Sequence, residues 1–93
     1  MTPLPEAQFC EALRALGHLD RLDFVRECLK DEKAAGELAA RSTLSLATVS
    51  EHLKVLRKSG LLRLNRDGRF WRYRTDQATL TAVGKAILEL GEL

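Results

Sequence analysis

Residues 45 to 62 read SLATVSEHLKVLRKSGLL, and their chemistry is sorted from one end to the other. Ser45, Thr48, Ser50, Glu51 and His52 put short hydrogen-bonding groups at the front, beside Leu46 and Ala47. Lys54, Arg57 and Lys58 put cations at the back. Such groups suit a DNA duplex. A major groove about 12 Å wide admits a helix whose short polar side chains reach base edges. Cations further along the same helix neutralise phosphates and release counterions. Base readout is therefore expected from Leu46, Ala47, Thr48, Ser50, Glu51 and His52, and backbone contact from Ser45, Lys54, Arg57 and Lys58. His52 fits DNA contact and packing equally well.

Spacing predicts the elements that hold these groups. Val49, Leu53 and Leu56 recur at i, i+4 and i+7, and Ser45 can cap while Ser59-Gly60 stops, which gives a recognition helix over about 45–59. A short helix over about Gly36 to Arg41 precedes it across the tight link Ser42-Thr43-Leu44. Upstream, Pro3 and Pro5 end an extended leader. Phe9, Ala12, Leu13 and Leu16 mark a first helix over about 6–16, closed by Gly17, and Leu22, Val25 and Leu29 stripe a second, flanked by Phe24 and Cys28. His18, between them, reads as a turn or capping residue.

Downstream the period falls to two. Leu62 and Leu64 alternate with polar partners, Asp67-Gly68 offers a hairpin turn, and Trp71 and Tyr73 alternate inward, giving a wing over about 62–74 tipped by Arg66 and Arg69. Both arginines suit phosphate contact or insertion into a minor groove. Leu80, Val83, Ile87 and Leu90 then form an a/d seam on a last helix over about 78–91, with more apolar surface than one small core covers. The fold class is mainly α with a small β-hairpin wing. A single winged helix-turn-helix domain over 1–93 is expected, with a partner helix implied at the seam of Leu80, Val83, Ile87 and Leu90.

Totals agree with a nucleic-acid partner and narrow the other classes. Net charge is only +2, yet residues 41–74 hold nine Lys and Arg against Glu51 and Asp67, while residues 1–40 come to −3 and 75–93 to −2. Seven net positives on one segment point to a polyanion surface. A chain of 93 residues has room for one small domain and often gains stability as an oligomer. No apolar run nears the roughly 20 residues of a membrane span, and MTPLPEAQF lacks a signal-peptide core, so a soluble, cytoplasmic protein without a membrane partner is expected. The two cysteines, Cys10 and Cys28, fit no disulfide framework or CxxC pair; Cys28 reads as core, and both remain candidates for a thiol sensor. No nucleophile triad, phosphate loop or metal-ligand spacing is present in the sequence, so no enzyme, metal or cofactor is expected. A winged helix that binds protein instead of DNA is the rival reading, disfavoured by the cationic segment.

The stretch GELAARSTLSLATVSEHLKVLRKSGLLRLNRDGRFWRY, residues 36–73, closely resembles the ArsR/SmtB family of bacterial winged-helix repressors. TVSEHLKVLRKSGLL followed by a GR-aromatic wing carries the likeness, and ALGHLDRLDFV resembles the entry to that family's second helix. The resemblance implies a homodimer formed through the N- and C-terminal helices, by Phe9, Leu13, Leu80, Val83, Ile87 and Leu90, on an inverted-repeat operator in double-stranded DNA, acting as a repressor released by an unknown effector. Departures remove some family properties. GELAARST has no cysteine where arsenic- and cadmium-sensing members place a thiol group, and TLTAVGKAILELGEL has no His where zinc- and nickel-sensing members pair Asp with His. His18-Leu19 and Thr43 replace the usual polar-Pro and Gly of two turns, and Leu46 and Glu51 imply an altered operator sequence.

Overall fold

The computed structural model describes residues 4–92. The leader proline Pro3 lies outside them, whereas Pro5, in extended backbone, stands immediately before the first helix. Five helices and one hairpin follow in the order α1 Glu6–Leu16, α2 Leu19–Lys30, α3 Ala35–Arg41, α4 Leu46–Lys58, β1 Leu62–Asp67, β2 Phe70–Thr75 and α5 Gln77–Leu90. This is the fold class that the spacings predict.

Local chemistry sets the helix boundaries. At the head of α2 the His18 ring nitrogen Nδ1 accepts from the Asp20 N–H at 3.1 Å, so α2 begins at Leu19, ahead of its first striped residue Leu22. Ser45 Oγ accepts from the Thr48 N–H at 3.2 Å to open α4, and Asp76 Oδ1 accepts from the Thr79 N–H at 3.1 Å to open α5. Each satisfies a donor that a helix N-terminus leaves unpaired. α4 ends because Gly60 turns to φ 87°, where an added Cβ would lie 2.8 Å from Gln8 Nε2. Only glycine takes that conformation at no steric cost.

The core lies where α1, α2, α3 and α4 converge under the base of the hairpin. Phe24, Val25 and Cys28 from α2 meet Leu38 from α3 and Val49, Leu53 and Leu56 from α4, with Leu61, Leu62 and Tyr73 closing the wing side and Val83 entering from α5. Alanines at 12 and 15 let α1 approach closely. α3 has seven residues, too few to be helical alone, so the packing of its buried Leu38 holds it. A fully buried leucine contributes about 1.5–3 kcal/mol, a large part of the roughly 4 kcal/mol that nucleating one short helix costs.

The hairpin is antiparallel, with Leu62 opposite Thr75, Leu64 opposite Tyr73 and Asp67 opposite Phe70. Its two-residue turn is thus Gly68-Arg69, one position later than Asp67-Gly68. Gly68 has φ 60° and Arg69 does not share a positive φ, the pattern of a type II′ turn with glycine first. β2 is also pinned on its other edge: Lys33, between α2 and α3, exchanges main-chain hydrogen bonds with Tyr73 at 3.0 and 2.7 Å. Thr75 Oγ1 donates to the buried Val25 carbonyl at 2.8 Å. Strand, loop and helix are thereby fixed as one base for the wing.

Candidate nucleic-acid interface

One face of α4 is spent on the core and the rest stands free. Val49, Leu53 and Leu56 are buried, while Ser45, Leu46, Ala47, Thr48, Ser50, Glu51, Lys54, Arg57 and Lys58 are all exposed. Ser45 Oγ also donates to Thr48 Oγ1 at 3.0 Å, which leaves the Thr48 hydroxyl hydrogen available for an outside acceptor. Beside this face a shallow groove runs between α4 and the wing, lined by Gly36, Leu46, Ser50, Lys54, Arg57 and Trp71. A second lies along Lys54, Arg57, Lys58 and Arg63.

The cations divide into two sets. Arg41 pairs with Glu27 at 2.8 Å, Arg63 with Asp76 at 2.9 Å and Arg72 with Glu37 at 3.8 Å, so these three are partly neutralised inside the fold. Lys54, Arg57, Lys58, Arg66, Arg69 and Arg74 make no ion pair among the described residues, and all are exposed. At the wing, the Arg66 guanidinium lies 4.3 Å over the Trp71 ring, a cation–π contact that keeps the charge outward. Two carboxylates hold this frame. Lys30 donates to Glu27, and this bond with the nearby Arg41 outweighs burial and keeps the Glu27 carboxyl below its ordinary value. Burial opposes ionisation of Asp76, but the Thr79 N–H and Arg63 prevail and its carboxyl is also held low.

A helix-turn-helix domain family matches residues 16–65. Among solved structures, an ArsR-like transcriptional regulator from Rhodococcus sp. RHA1 superposes with a TM-score of 0.84 at 26% identity, covering 94% of this chain and 82% of that one. Reduced HlyU from Vibrio cholerae is 32% identical over 91% of this chain and 85% of its own, with a TM-score of 0.71. The homodimeric winged helix-turn-helix DNA-binding domain of a Mycobacterium bovis protein gives 0.73 at 27% identity, covering 89% and 80%. This chain belongs to the ArsR/SmtB family of winged helix-turn-helix transcriptional regulators. No curated protein matches its sequence significantly.

Within this ArsR/SmtB fold several side chains stand elsewhere than their spacing suggests. His52 is half-buried on the inner flank of α4, its Nδ1 bonded to Arg21 Nη1 at 3.2 Å and its ring 4.5 Å from that of His18. Burial, with His18 and Arg21 alongside, keeps its pKa below the usual histidine value. It is therefore turned towards α2, and base readout from it is corrected to packing. Trp71 is 47% exposed where Tyr73 is buried, because the outer half of the hairpin reaches past the body and finds no core to enter. Cys28 is wholly buried and its thiol is pushed up to about 12, so it is corrected from candidate sensor to core; Cys10 is exposed on α1. On α5, Val83 is 1% exposed and Leu80 leans on the same core, as does Phe9 of α1, so Val83 is corrected from interface to core. On α1 and α5 the large apolar side chains left open are Leu13, Ile87 and Leu90 together with Leu88, which the a/d spacing passes over. The sequence also misses a cluster: folding brings His18, Asp20 and His52 within reach of one another. No spacing rule joins residues on two helices so far apart in the chain.

Proposed function

We propose that the chain is a homodimeric repressor that binds an inverted-repeat operator in double-stranded DNA. One observation carries this reading: the exposed face of α4 and the wing together present five cations, Lys54, Arg57, Lys58, Arg66 and Arg69, that make no ion pair among the described residues, alongside short polar groups. In this reading Thr48, Ser50 and Glu51, with Leu46 and Ala47, enter the major groove and read base edges. Ser45, Lys54, Arg57, Lys58, Arg66 and Arg69 hold the backbone, the wing lying along the adjacent minor groove. Glu51 accepts from a base amino group, cytosine N4 being the usual partner of a carboxylate in the major groove. The open apolar residues of α1 and α5 cover one another in the dimer, which spaces two recognition helices about one turn of DNA apart, roughly 34–36 Å.

The relatives support the same reading: the M. bovis domain is homodimeric, and BigR from Xylella fastidiosa, 29% identical, is a transcriptional repressor. The work is done in the cytoplasm, without a catalytic step. No helix among the described residues is long and apolar enough to cross a membrane. Release from DNA by an effector completes the scheme.

Fluorescence anisotropy on the fragment upstream of the chain's own gene, against a scrambled duplex at two salt concentrations, tests it. A preference for the native fragment that weakens steeply with salt is expected. Equal, salt-insensitive binding to both duplexes would instead favour a winged helix whose partner is a protein.

A further inference from the structure

His18, Asp20 and His52 meet where the start of α2 faces the inner flank of α4. Each contributes one ligand atom, and these atoms lie within 4.8 Å of one another. The His18 and His52 ring centroids are 4.5 Å apart, and His18 Nδ1 lies 3.8 Å from Asp20 Oδ2. All three side chains are half-buried, close enough to the surface for an ion to enter. We propose that His18, Asp20 and His52 form a site for one divalent transition-metal ion of the zinc class.

The donor set selects the ion. Two imidazoles and one carboxylate suit a borderline ion such as Zn2+ or Co2+, whereas Mg2+ and Ca2+ take oxygen ligands. Three protein ligands leave a fourth position to water. Both imidazoles already hold a lone pair in the right form. An arginine can only donate, so the His52 Nδ1 that faces Arg21 carries no proton. His18 Nδ1 accepts from the Asp20 N–H and carries none either. Ligand atoms around a tetrahedral zinc lie roughly 3.3 Å apart, given bonds of about 2 Å, so separations within 4.8 Å must close by at most about 1.5 Å, and the His18–Asp20 pair at 3.8 Å by only about 0.5 Å.

Arg21 is the cost of occupancy. If the ion binds His52 through Nδ1 it takes the lone pair that Arg21 uses. If it binds through Nε2, Nδ1 must hold the ring proton and can no longer accept. Either way the Arg21–His52 bond is lost. Arg21 keeps its bonds to the Ala15 carbonyl at 2.7 Å and the Arg14 carbonyl at 3.3 Å, so the guanidinium remains anchored. The same logic removes the Asp20 N–H bond to His18 Nδ1, so two hydrogen bonds, the α2 cap and the Arg21–His52 link, are exchanged for metal coordination between the same two helices.

Cobalt absorption tests the site without any DNA. The full chain is stripped with chelator, kept reduced, carried in a Cys10→Ser background to remove the exposed thiol, and titrated with Co2+ and then with competing Zn2+. Expected are visible d–d bands that saturate at one ion per protomer and have no thiolate charge-transfer band. They are expected to bleach with Zn2+ and to weaken by about tenfold or more in affinity in His18→Gln and Asp20→Asn. Asp20→Asn keeps the backbone N–H that His18 Nδ1 accepts from to cap α2, so the metal-free fold is preserved, and a Zn2+-dependent rise in Tm should vanish in it. Absence of saturable uptake, or uptake unchanged in both variants, would overturn the site.

Discussion

Thr48 and Arg69 are both exposed polar residues, and their surroundings give them different work. The Thr48 hydroxyl accepts from Ser45 and keeps its hydrogen for an outside acceptor, whereas Arg69 stands on a turn and makes no ion pair among the described residues. Thr48→Val is expected to change preference at one base position, by about 1–3 kcal/mol, while binding to other sequences holds. Arg69→Ala should weaken every duplex alike and lower the salt slope by about one. A uniform loss from Thr48→Val, or an unchanged slope from Arg69→Ala, would reverse those assignments. Glu27 belongs to the frame instead. Because Lys30 and Arg41 hold its folded carboxyl below the ordinary 4.5, its ion pairs contribute fully above that pH and are lost as pH falls through the lowered value. Glu27→Gln should therefore flatten the acid limb of a plot of urea midpoint against pH; a limb as steep as that of the parent chain would remove Glu27 from the account. Residue identity was legible in the sequence wherever one helix face decided burial, as for Val49 and Leu53. It failed for His52 and Trp71, because one depends on a residue of another helix and the other on where the body of the protein ends.

The helices were legible because each carries its own signals: an apolar period, a cap and a stop. Turn chemistry likewise announced the hairpin, with an error of one position, since both Asp-Gly and Gly-Arg fit a two-residue loop and only cross-strand register chooses between them. What no element announced is the pairing of Lys33 with Tyr73. That contact is made by main-chain atoms, which every residue but proline possesses, so side-chain pattern carries no trace of it. Lys33→Pro removes the donor to the Tyr73 carbonyl and should lower the unfolding free energy by about 1–3 kcal/mol, while Lys33→Ala should leave it nearly unchanged. Equal urea midpoints for the two variants would show that the bridge contributes little.

At the scale of the molecule, the apolar residues of α5 do two jobs that a heptad pattern merges. Val83 faces inward, whereas Ile87 and Leu88 are 45% and 74% exposed. Ile87→Glu is accordingly expected to yield a folded monomer by sedimentation, with helicity intact, while Val83→Glu should unfold the chain. A dimer that survived Ile87→Glu would move the interface off α5. The bridge at Lys33 and Tyr73 has a consequence at this scale as well. It joins the chain just before Ala34 to the chain just after Arg72, so α3, the turn, α4 and the outer wing form one lobe whose two ends are tied to each other at its neck by main-chain hydrogen bonds. Such a lobe is a cassette. Its outward residues can be rewritten, or the whole segment from Ala34 to Arg72 transplanted from a relative, provided Leu38, Val49, Leu53, Leu56, Leu61 and Leu62 still plug the core, and the neck will close whatever the new lobe reads.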